Sequence, residues 1–137
     1  MKLLNLFLSS KKFSSKHKKY FHVYEEVFSN YINKKIIFVE VGILNGGSLK
    51  MWKEYFGQNV RIIGTDYNPE CKKYEEEGIE IFIGDQSDPK FWDDFFSKVG
   101  KVDILLDDGG HTNSQQVITT VKAIPNIKDG GLLVTED

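Results

Sequence analysis

Cysteine is nearly absent from this chain of 137 residues, and long apolar runs are missing. Cys71 is the single cysteine, so neither an intrachain disulfide framework nor a cluster of thiolate zinc ligands can form. We therefore expect a reducing, cytoplasmic setting. No run approaches the ~20 apolar residues that span a bilayer, and the apolar stretch from Leu3 to Leu8 is shorter than the core of an export signal. The sequence thus predicts neither a membrane span nor export.

A strong charge of either sign is also missing. The formal net charge is -2, with acidic and basic residues mixed along most of the chain. This balance gives no reason to expect nucleic acid as a partner. The length suffices for one hydrophobic core and is short for two independent domains. We expect a helical segment over residues 1–35 followed by a ligand-binding domain over residues 36–137.

Helical and extended patterns alternate along the chain. Apolar spacing predicts an amphipathic helix from Ser15 to Tyr31, a helix capped by Ser48 and ended by Gly57, and another after Pro89. A weaker helix runs through Val117, Val121 and Ile124 and ends at Pro125. Between them, five short apolar segments predict strands: KKIIFVEVG, RIIGTDYN, IEIFIGDQ, VDILLDDGG and GGLLVTED. The sequence thus predicts an α/β, Rossmann-like, doubly wound parallel sheet preceded by a helix.

Polar residues follow all five predicted strands. In parallel sheets, ligands bind at the carboxyl ends of the strands. Turn propensity accounts for any one of these groups, but poorly for all five together. The residues are Glu40 and Gly42, Asp66, Asp85 and Gln86, Asp107 and Asp108, and Glu136 and Asp137. We therefore predict a ligand site along this edge of the sheet.

The glycine-rich turn after the first strand indicates which ligand the site binds. A dinucleotide fingerprint needs glycine at its first, third and sixth positions. Counting from Gly42, the sixth position is Gly47, but the third is Leu44. Glu40 precedes the turn, and an acid there repels a pyrophosphate but attracts a cation. S-adenosylmethionine has a sulfonium, an ammonium and no phosphate, so it fits this turn better than a nicotinamide cofactor does. A nicotinamide-dependent oxidoreductase is therefore the weaker alternative.

Other strand-end residues can bind the rest of this cofactor. Asp66 can accept hydrogen bonds from both ribose hydroxyls, and Asp85 with Gln86 can bind the adenine amino group and ring edge. The predicted cofactor-binding residues are Glu40, Gly42, Asn45, Gly46, Ser48, Asp66, Asp85, Gln86 and Asp107.

Several stretches resemble the class I methyltransferases, and among them the macrocin and mycinamicin type of metal-dependent sugar O-methyltransferase. These stretches are FVEVGILNGGSLKMW, GTDYNP, FIGDQSD, ILLDDGGHTNSQQ and GGLLVTED. The resemblance covers nearly everything from Phe38 to the end, and KHKKYFHVYEEVF resembles the helix before the cofactor domain. It implies that residues 36–137 form the S-adenosylmethionine-binding domain.

The resemblance also implies a set of catalytic and metal-binding residues. Asp108 would be a metal ligand and His111 the catalytic base, with Glu136 and Asp137 as further ligands of Mg²⁺. The chain has Gly110 where the family often has serine, yet the acid and the histidine keep their spacing. Mg²⁺ can hold two vicinal hydroxyls, and histidine can take the proton that a sugar hydroxyl loses on attack. The expected reaction is Mg²⁺-dependent methylation of a sugar hydroxyl on a glycan or a glycosylated small molecule.

Two alternatives stay open at this point. Catechol-type methyltransferases also place metal-binding acids after the fourth and fifth strands, so the acceptor could be a phenol. A noncatalytic S-adenosylmethionine-binding domain would keep the cofactor residues alone.

The chain stops at Asp137, after the fifth strand, whereas the class I fold normally continues with further helices and an antiparallel strand pair. We therefore expect a C-terminally incomplete domain with low turnover alone, or a partner or second copy in a homo-oligomer that covers the exposed edge.

Overall fold

The computed structural model describes residues 2–9 and 20–136. Helices and strands alternate along most of this length, and short 3₁₀ turns cover Ser29–Tyr31, Pro69–Tyr74 and Ile124–Asn126. The helices are α1 (Lys2–Ser9), α2 (Tyr20–Phe28), α3 (Gly47–Phe56), α4 (Pro89–Val99) and α5 (Asn113–Ala123). The strands are β1 (Ile37–Val41), β2 (Arg61–Asp66), β3 (Ile79–Ile83), β4 (Val102–Asp107) and β5 (Ile127–Thr135).

The five strands form one parallel sheet in the order β3-β2-β1-β4-β5. The chain moves outward from β1 in one direction to β3, and then returns to continue on the other side with β4 and β5. This reversal is a topological switch point between β1 and β4, where open α/β sheets bind their ligands. The predicted Rossmann-like sheet is confirmed.

Helices cover both faces of the sheet, so successive strand residues enter different cores. Phe38 of β1 packs with Trp52 of α3 and Phe28 of α2 on one face. Val39, the next residue, packs with Trp92 and its α4 neighbours on the opposite face. Because both faces are buried, the strands are apolar along nearly their whole length instead of alternating. Burial of these rings accounts for much of the folding free energy.

Helix α1 was not foreseen from the sequence, where its residues form only a short apolar run. Leu3 is fully buried in the same core as α2 and α3. The backbone N–H groups of Lys2 and Leu3 donate to Glu25 Oε1 at 3.1 and 3.5 Å, so a residue of α2 caps this helix. The predicted helix from Ser15 to Tyr31 is described only from Tyr20 onward, where α2 and a 3₁₀ turn occupy it.

The start of α3 corrects one prediction. Ser48 is not the N-cap, because the helix begins at Gly47 and its N-cap is Gly46, which has a φ of 76° and makes no side-chain capping bond. Asn45 Oδ1 instead accepts a hydrogen bond from the backbone N–H of Gly47 at 3.0 Å. Gly57, with a φ of 95°, ends the helix as predicted.

Helix α5 is confirmed, but its packing differs from the sequence pattern. Val117, Val121 and Ile124, which define the apolar spacing, are 56%, 60% and 61% exposed. The buried residues of α5 are Thr119 and Ala123, whose small side chains allow the helix to lie close to the sheet. No helix in the described ranges is long and apolar enough to cross a membrane.

Strand β5 begins earlier than predicted and contains a bulge. Val102 pairs with Ile127, whereas Ile104 pairs with Leu132, so β5 carries additional residues between two successive pairs. Gly130 has a φ of 78° in this bulge, and its carbonyl accepts a hydrogen bond from Tyr31 Oη at 2.6 Å. The remainder of β5 pairs regularly with β4 and directs Glu136 to the ligand edge of the sheet.

Candidate functional site

A cavity of about 980 Å³ opens at the carboxyl ends of the strands, at the β1/β4 switch point. Its volume lies at the upper end of the range typical of small-molecule sites. Most predicted site residues line it: Gly42, Asn45, Ser48, Asp66, Asp85, Gln86, Asp108, His111 and Glu136. The structure thus brings the ends of all five strands to one concave surface.

Three predicted residues do not line the cavity. Glu40 is fully buried, and its Oε2 accepts a hydrogen bond from Trp52 Nε1 at 3.3 Å. Gly46 lies at the start of α3, and Asp107 is buried behind the loop that follows β4. Asp137 lies outside the described residues.

The loop after β1 depends on a glycine at its first position. Gly42 has a φ of 84°, and a Cβ at this position would collide with the backbone of Asp108 and Gly109. Only glycine therefore allows this loop to pass so close to the loop after β4. The backbone N–H of Ile43 donates to Asp66 Oδ2 at 3.0 Å, which fixes the loop to the end of β2.

Asp66 and Asp85 form the outer wall of the cavity. Asp66 Oδ1 also accepts from the backbone N–H of Asn68 at 3.0 Å, yet each carboxylate oxygen can accept a second hydrogen bond. Asp85 Oδ1 accepts from the backbone N–H of Ser87 at 2.9 Å and from its hydroxyl at 2.7 Å. These bonds from Ser87 hold the pKa of Asp85 below its usual range. Asp85 is therefore ionised at neutral pH and can accept hydrogen bonds from a ligand.

Gln86 and Asp107 form a buried polar pair beneath the cavity floor. Gln86 Nε2 donates to Asp107 Oδ1 at 3.2 Å and to Thr119 Oγ1 at 2.9 Å, and Gln86 Oε1 accepts from the backbone N–H of Gly110 at 2.7 Å. Burial raises the pKa of Asp107 above its usual value, while hydrogen bonds from the Gly109 N–H and from Gln86 oppose the increase. Both side chains are therefore engaged with the protein itself.

The loop after β4 brings Asp108 and His111 to the cavity, and β5 brings Glu136. The backbone N–H of Asp108 donates to Val41 O at 2.9 Å, and that of Glu136 donates to Asp107 O at 2.8 Å. These bonds tie together the ends of β1, β4 and β5. The two carboxylates and the imidazole consequently line one cavity in a fixed arrangement.

The carboxylates of Asp108 and Glu136 fit Mg²⁺, although they do not make a complete coordination sphere. Among residues 2–9 and 20–136, no group of three His, Cys, Asp or Glu side chains could by itself hold a metal ion. Mg²⁺ commonly binds one or two carboxylates and completes its octahedron with water and substrate oxygens. Asp108 and Glu136 supply two such carboxylates, and the predicted third, Asp137, is not described.

Sequence reasoning missed Gln115 as a cavity residue. Its Oε1 accepts from the backbone N–H of Thr112 at 3.2 Å, which completes a capping box at the start of α5. A Cβ at Gly110 would collide with the Gln115 amide, so Gln115 occupies the space that the serine of related sequences would enter. The Thr-x-x-Gln spacing is a capping-box signature and could have located this residue.

Two aromatic residues also line the cavity without having been predicted as site residues. Tyr20 borders the cavity from α2. Tyr67 follows Asp66 and is 77% exposed at the cavity mouth. Cys71 also lines the cavity, and burial raises the pKa of its thiol.

The strand order, the glycine loop after β1 and the acid at the end of β2 define the class I methyltransferase fold. No family model matches the chain. A rhamnosyl tetracenomycin-C 2'-O-methyltransferase of Streptomyces olivaceus is 32% identical over 125 residues, which are 86% of this chain and 32% of the relative. Demethylmacrocin O-methyltransferase of Streptomyces fradiae is 36% identical over 122 residues, which are 83% of this chain and 30% of the relative.

A solved structure agrees over the whole chain. The methyltransferase MycE of the mycinamycin biosynthetic pathway, in complex with Mg, SAH and mycinamycin VI, superposes with a TM-score of 0.89 at 31% identity. The match covers 100% of this chain and 37% of that one. The chain is therefore a homologue of the macrocin- and mycinamicin-type sugar O-methyltransferases, as its motifs implied. It spans about a third of the length of the curated relatives that it matches.

Proposed function

We propose that this chain is an S-adenosylmethionine-dependent, Mg²⁺-dependent O-methyltransferase acting on a sugar hydroxyl of a glycan or glycosylated small molecule. One observation carries the proposal. A single cavity is lined by a ribose-binding carboxylate (Asp66), an acidic pair suited to Mg²⁺ (Asp108 and Glu136) and a histidine (His111). Support comes from MycE, which holds Mg, SAH and mycinamycin VI in a homologous fold.

The cofactor is bound by residues of the first three strand ends. Asp66 accepts hydrogen bonds from the ribose hydroxyls, and the ionised Asp85 accepts one from the adenine amino group. Gly42 allows the loop after β1 to pass close to the loop after β4, and Asn45 and Ser48 line the same cavity. Because these residues belong to the first three strand ends, the loop after β4 and the end of β5 are left for the acceptor.

The acceptor is activated by residues of the last two strand ends. Asp108 and Glu136 hold the metal, with Asp137 as a further ligand. Mg²⁺ lowers the pKa of the acceptor hydroxyl when it is bound. His111 would take the hydroxyl proton at an imidazole nitrogen. General-base help of this kind contributes roughly 10²- to 10⁴-fold to the rate.

The setting and partners of the protein are part of this proposal. The lone cysteine supports a reducing, cytoplasmic location. The net charge of -2 supports a small-molecule or glycan acceptor more than a nucleic acid. We also propose a homo-oligomer in which a second copy covers β5, which is an edge strand of the sheet.

Calorimetric titration with S-adenosylhomocysteine tests the cofactor site. We expect saturable binding by the wild-type chain, weakened roughly 10- to 100-fold in Asp66→Asn because charge-assisted hydrogen bonds to the ribose are lost. Asp94→Asn is the matched control, since the Asp94 carboxylate lies on the surface, where it pairs with Lys98 at 3.0 Å. Absence of binding by a wild-type chain with a cooperative unfolding transition would refute the cofactor site.

Titration with Mn²⁺, followed by electron paramagnetic resonance, tests the metal site. Mn²⁺ prefers the same oxygen ligands as Mg²⁺. We expect Asp108→Asn to weaken Mn²⁺ binding about 10-fold or more and to leave S-adenosylhomocysteine affinity nearly unchanged. A wild-type chain that binds S-adenosylhomocysteine but no Mn²⁺ would instead be a noncatalytic cofactor-binding domain.

A further inference from the structure

The side-chain N–H groups of Gln86 are both bound by the protein, although the residue borders the cavity. Nε2 carries two hydrogens, which it donates to Thr119 Oγ1 and to the Asp107 carboxylate. The two carboxylate oxygens lie 3.2 and 3.3 Å from Nε2. Oε1 accepts from the backbone N–H of Gly110 at 2.7 Å. The residue is only 8% exposed. The hydrogen bonds of its side chain are therefore made to protein atoms on both sides of the loop after β4.

The partners of Gln86 enclose the proposed metal ligand. Asp107 and Gly110 stand on either side of Asp108 and Gly109, so one amide group fixes both ends of this four-residue segment. A Cβ at Gly109 would collide with Gln86 Oε1, which explains why the segment has glycine there. The position of Asp108 in the cavity thus depends on Gln86.

The backbone of Gln86 is also held by α4 and α5, the two helices on this face of the sheet. Trp92 Nε1 of α4 donates to the backbone carbonyl of Gln86 at 2.9 Å, and Thr119 Oγ1 of α5 donates to the same carbonyl at 3.2 Å. Thr119 is buried, so neither contact is weakened by water. Gln86 is therefore a rigid link between the helices and the loop after β4.

We propose that Gln86 is a positioning residue for the metal-binding loop and that its side chain does not contact the cofactor. This inference rests on the function proposed above and replaces the sequence-based role of Gln86 in adenine binding. Residues that orient metal ligands typically change metal affinity by 10- to 100-fold when they are mutated. Under the proposed function, the adenosine is bound instead by the carboxylates of Asp66 and Asp85, which are held by backbone N–H groups of the loops after β1, β2 and β3.

Two separate affinities distinguish these roles. In Gln86→Leu and Gln86→Glu, we expect Mn²⁺ affinity measured with saturating S-adenosylhomocysteine to fall about 10-fold or more. S-adenosylhomocysteine affinity should stay within about 2-fold of the wild type. Gln86→Glu should be the weaker binder of Mn²⁺, because its carboxylate would face that of Asp107. Gln116→Leu, a substitution on α5 outside the cavity lining, is the matched control and should change neither affinity.

Thr119→Val provides a second route if the Gln86 variants unfold. It removes one partner of Nε2 and leaves Gln86 in place, and a fall in Mn²⁺ affinity of about 3-fold or more with unchanged S-adenosylhomocysteine affinity would support the proposal. A loss of S-adenosylhomocysteine affinity with intact Mn²⁺ affinity would overturn it in favour of adenine binding. Lower thermal stability with both affinities unchanged would overturn it in favour of a purely structural role, and an equal loss of both would also count against it. Absence of Mn²⁺ binding by the wild type would remove the proposed metal function, and this inference with it.

Discussion

Leu44 has a backbone conformation that most side chains avoid. Its φ is 47°, in the left-handed region, and its side chain is 57% exposed at the cavity mouth. This is the residue that breaks the dinucleotide glycine pattern, yet its backbone adopts the conformation for which glycine is normally used. Strain of this kind is commonly kept at ligand sites.

Replacing Leu44 by glycine should stabilise the fold. Relief of the left-handed strain is worth about 1–3 kcal/mol, and the greater freedom of glycine in the unfolded chain costs about 0.5–1 kcal/mol. We expect a net gain of about 0–2.5 kcal/mol in the free energy of unfolding, measured by urea denaturation.

Val121→Gly is the control for this prediction. Val121 is similarly exposed, at 60%, but lies inside α5, where glycine should cost about 1 kcal/mol. Equal losses in the two variants would mean that the conformation of Leu44 is not strained.

At the scale of single residues, the sequence predicted the acids of the site better than their supports. Asp66, Asp108 and Glu136 could be predicted because parallel strands align their carboxyl ends. The hydrogen bonds of Gln86 could not, because one of them is made to Thr119, a residue 33 positions away in a helix that packs on the same face. No local pattern encodes such a contact.

At the scale of elements, the strands were predictable and the short helix α1 was not. A strand buried on both faces is a continuous apolar run, which the sequence displays directly. Helix α1 has only eight residues, too few to be stable alone, and it exists through tertiary contacts with α2 and α3. For α5, the apolar spacing indicated the wrong face of the helix. Its large apolar residues are exposed, and the small side chains of Thr119 and Ala123 are buried instead.

Docking of α1 can be measured with two leucine substitutions in one helix. Leu3→Ala should lower the free energy of unfolding by about 2–4 kcal/mol, because Leu3 is fully buried against the core. Leu8→Ala should change it by less than about 0.5 kcal/mol, since Leu8 is 56% exposed. Similar small effects of both substitutions in urea denaturation would show that α1 does not dock onto the sheet domain.

At the scale of the whole molecule, the N-terminal helices and the last strand are joined into one structure. The core that contains Leu3 and Phe28 also contains Ile104 of β4. Tyr31, just after α2, donates through its hydroxyl to the carbonyl of Gly130 in the β5 bulge at 2.6 Å, across 99 positions of sequence. Helices and sheet should consequently unfold together.

Tyr31→Phe tests this connection without disturbing the ring. Loss of one hydrogen bond should cost about 1 kcal/mol, and amide exchange over residues 128–131 should accelerate, because the bulge loses its anchor. The control is Tyr67→Phe, which removes a hydroxyl from a residue that is 77% exposed and should leave stability and exchange unchanged.

Two probes distinguish one cooperative unit from two in the Tyr31 variant. Helix content by circular dichroism and the fluorescence of the buried Trp52 and Trp92 should report coincident transitions. A helical transition that precedes the fluorescence change would show that residues 2–35 unfold independently, so that the shared core does not couple them to the sheet.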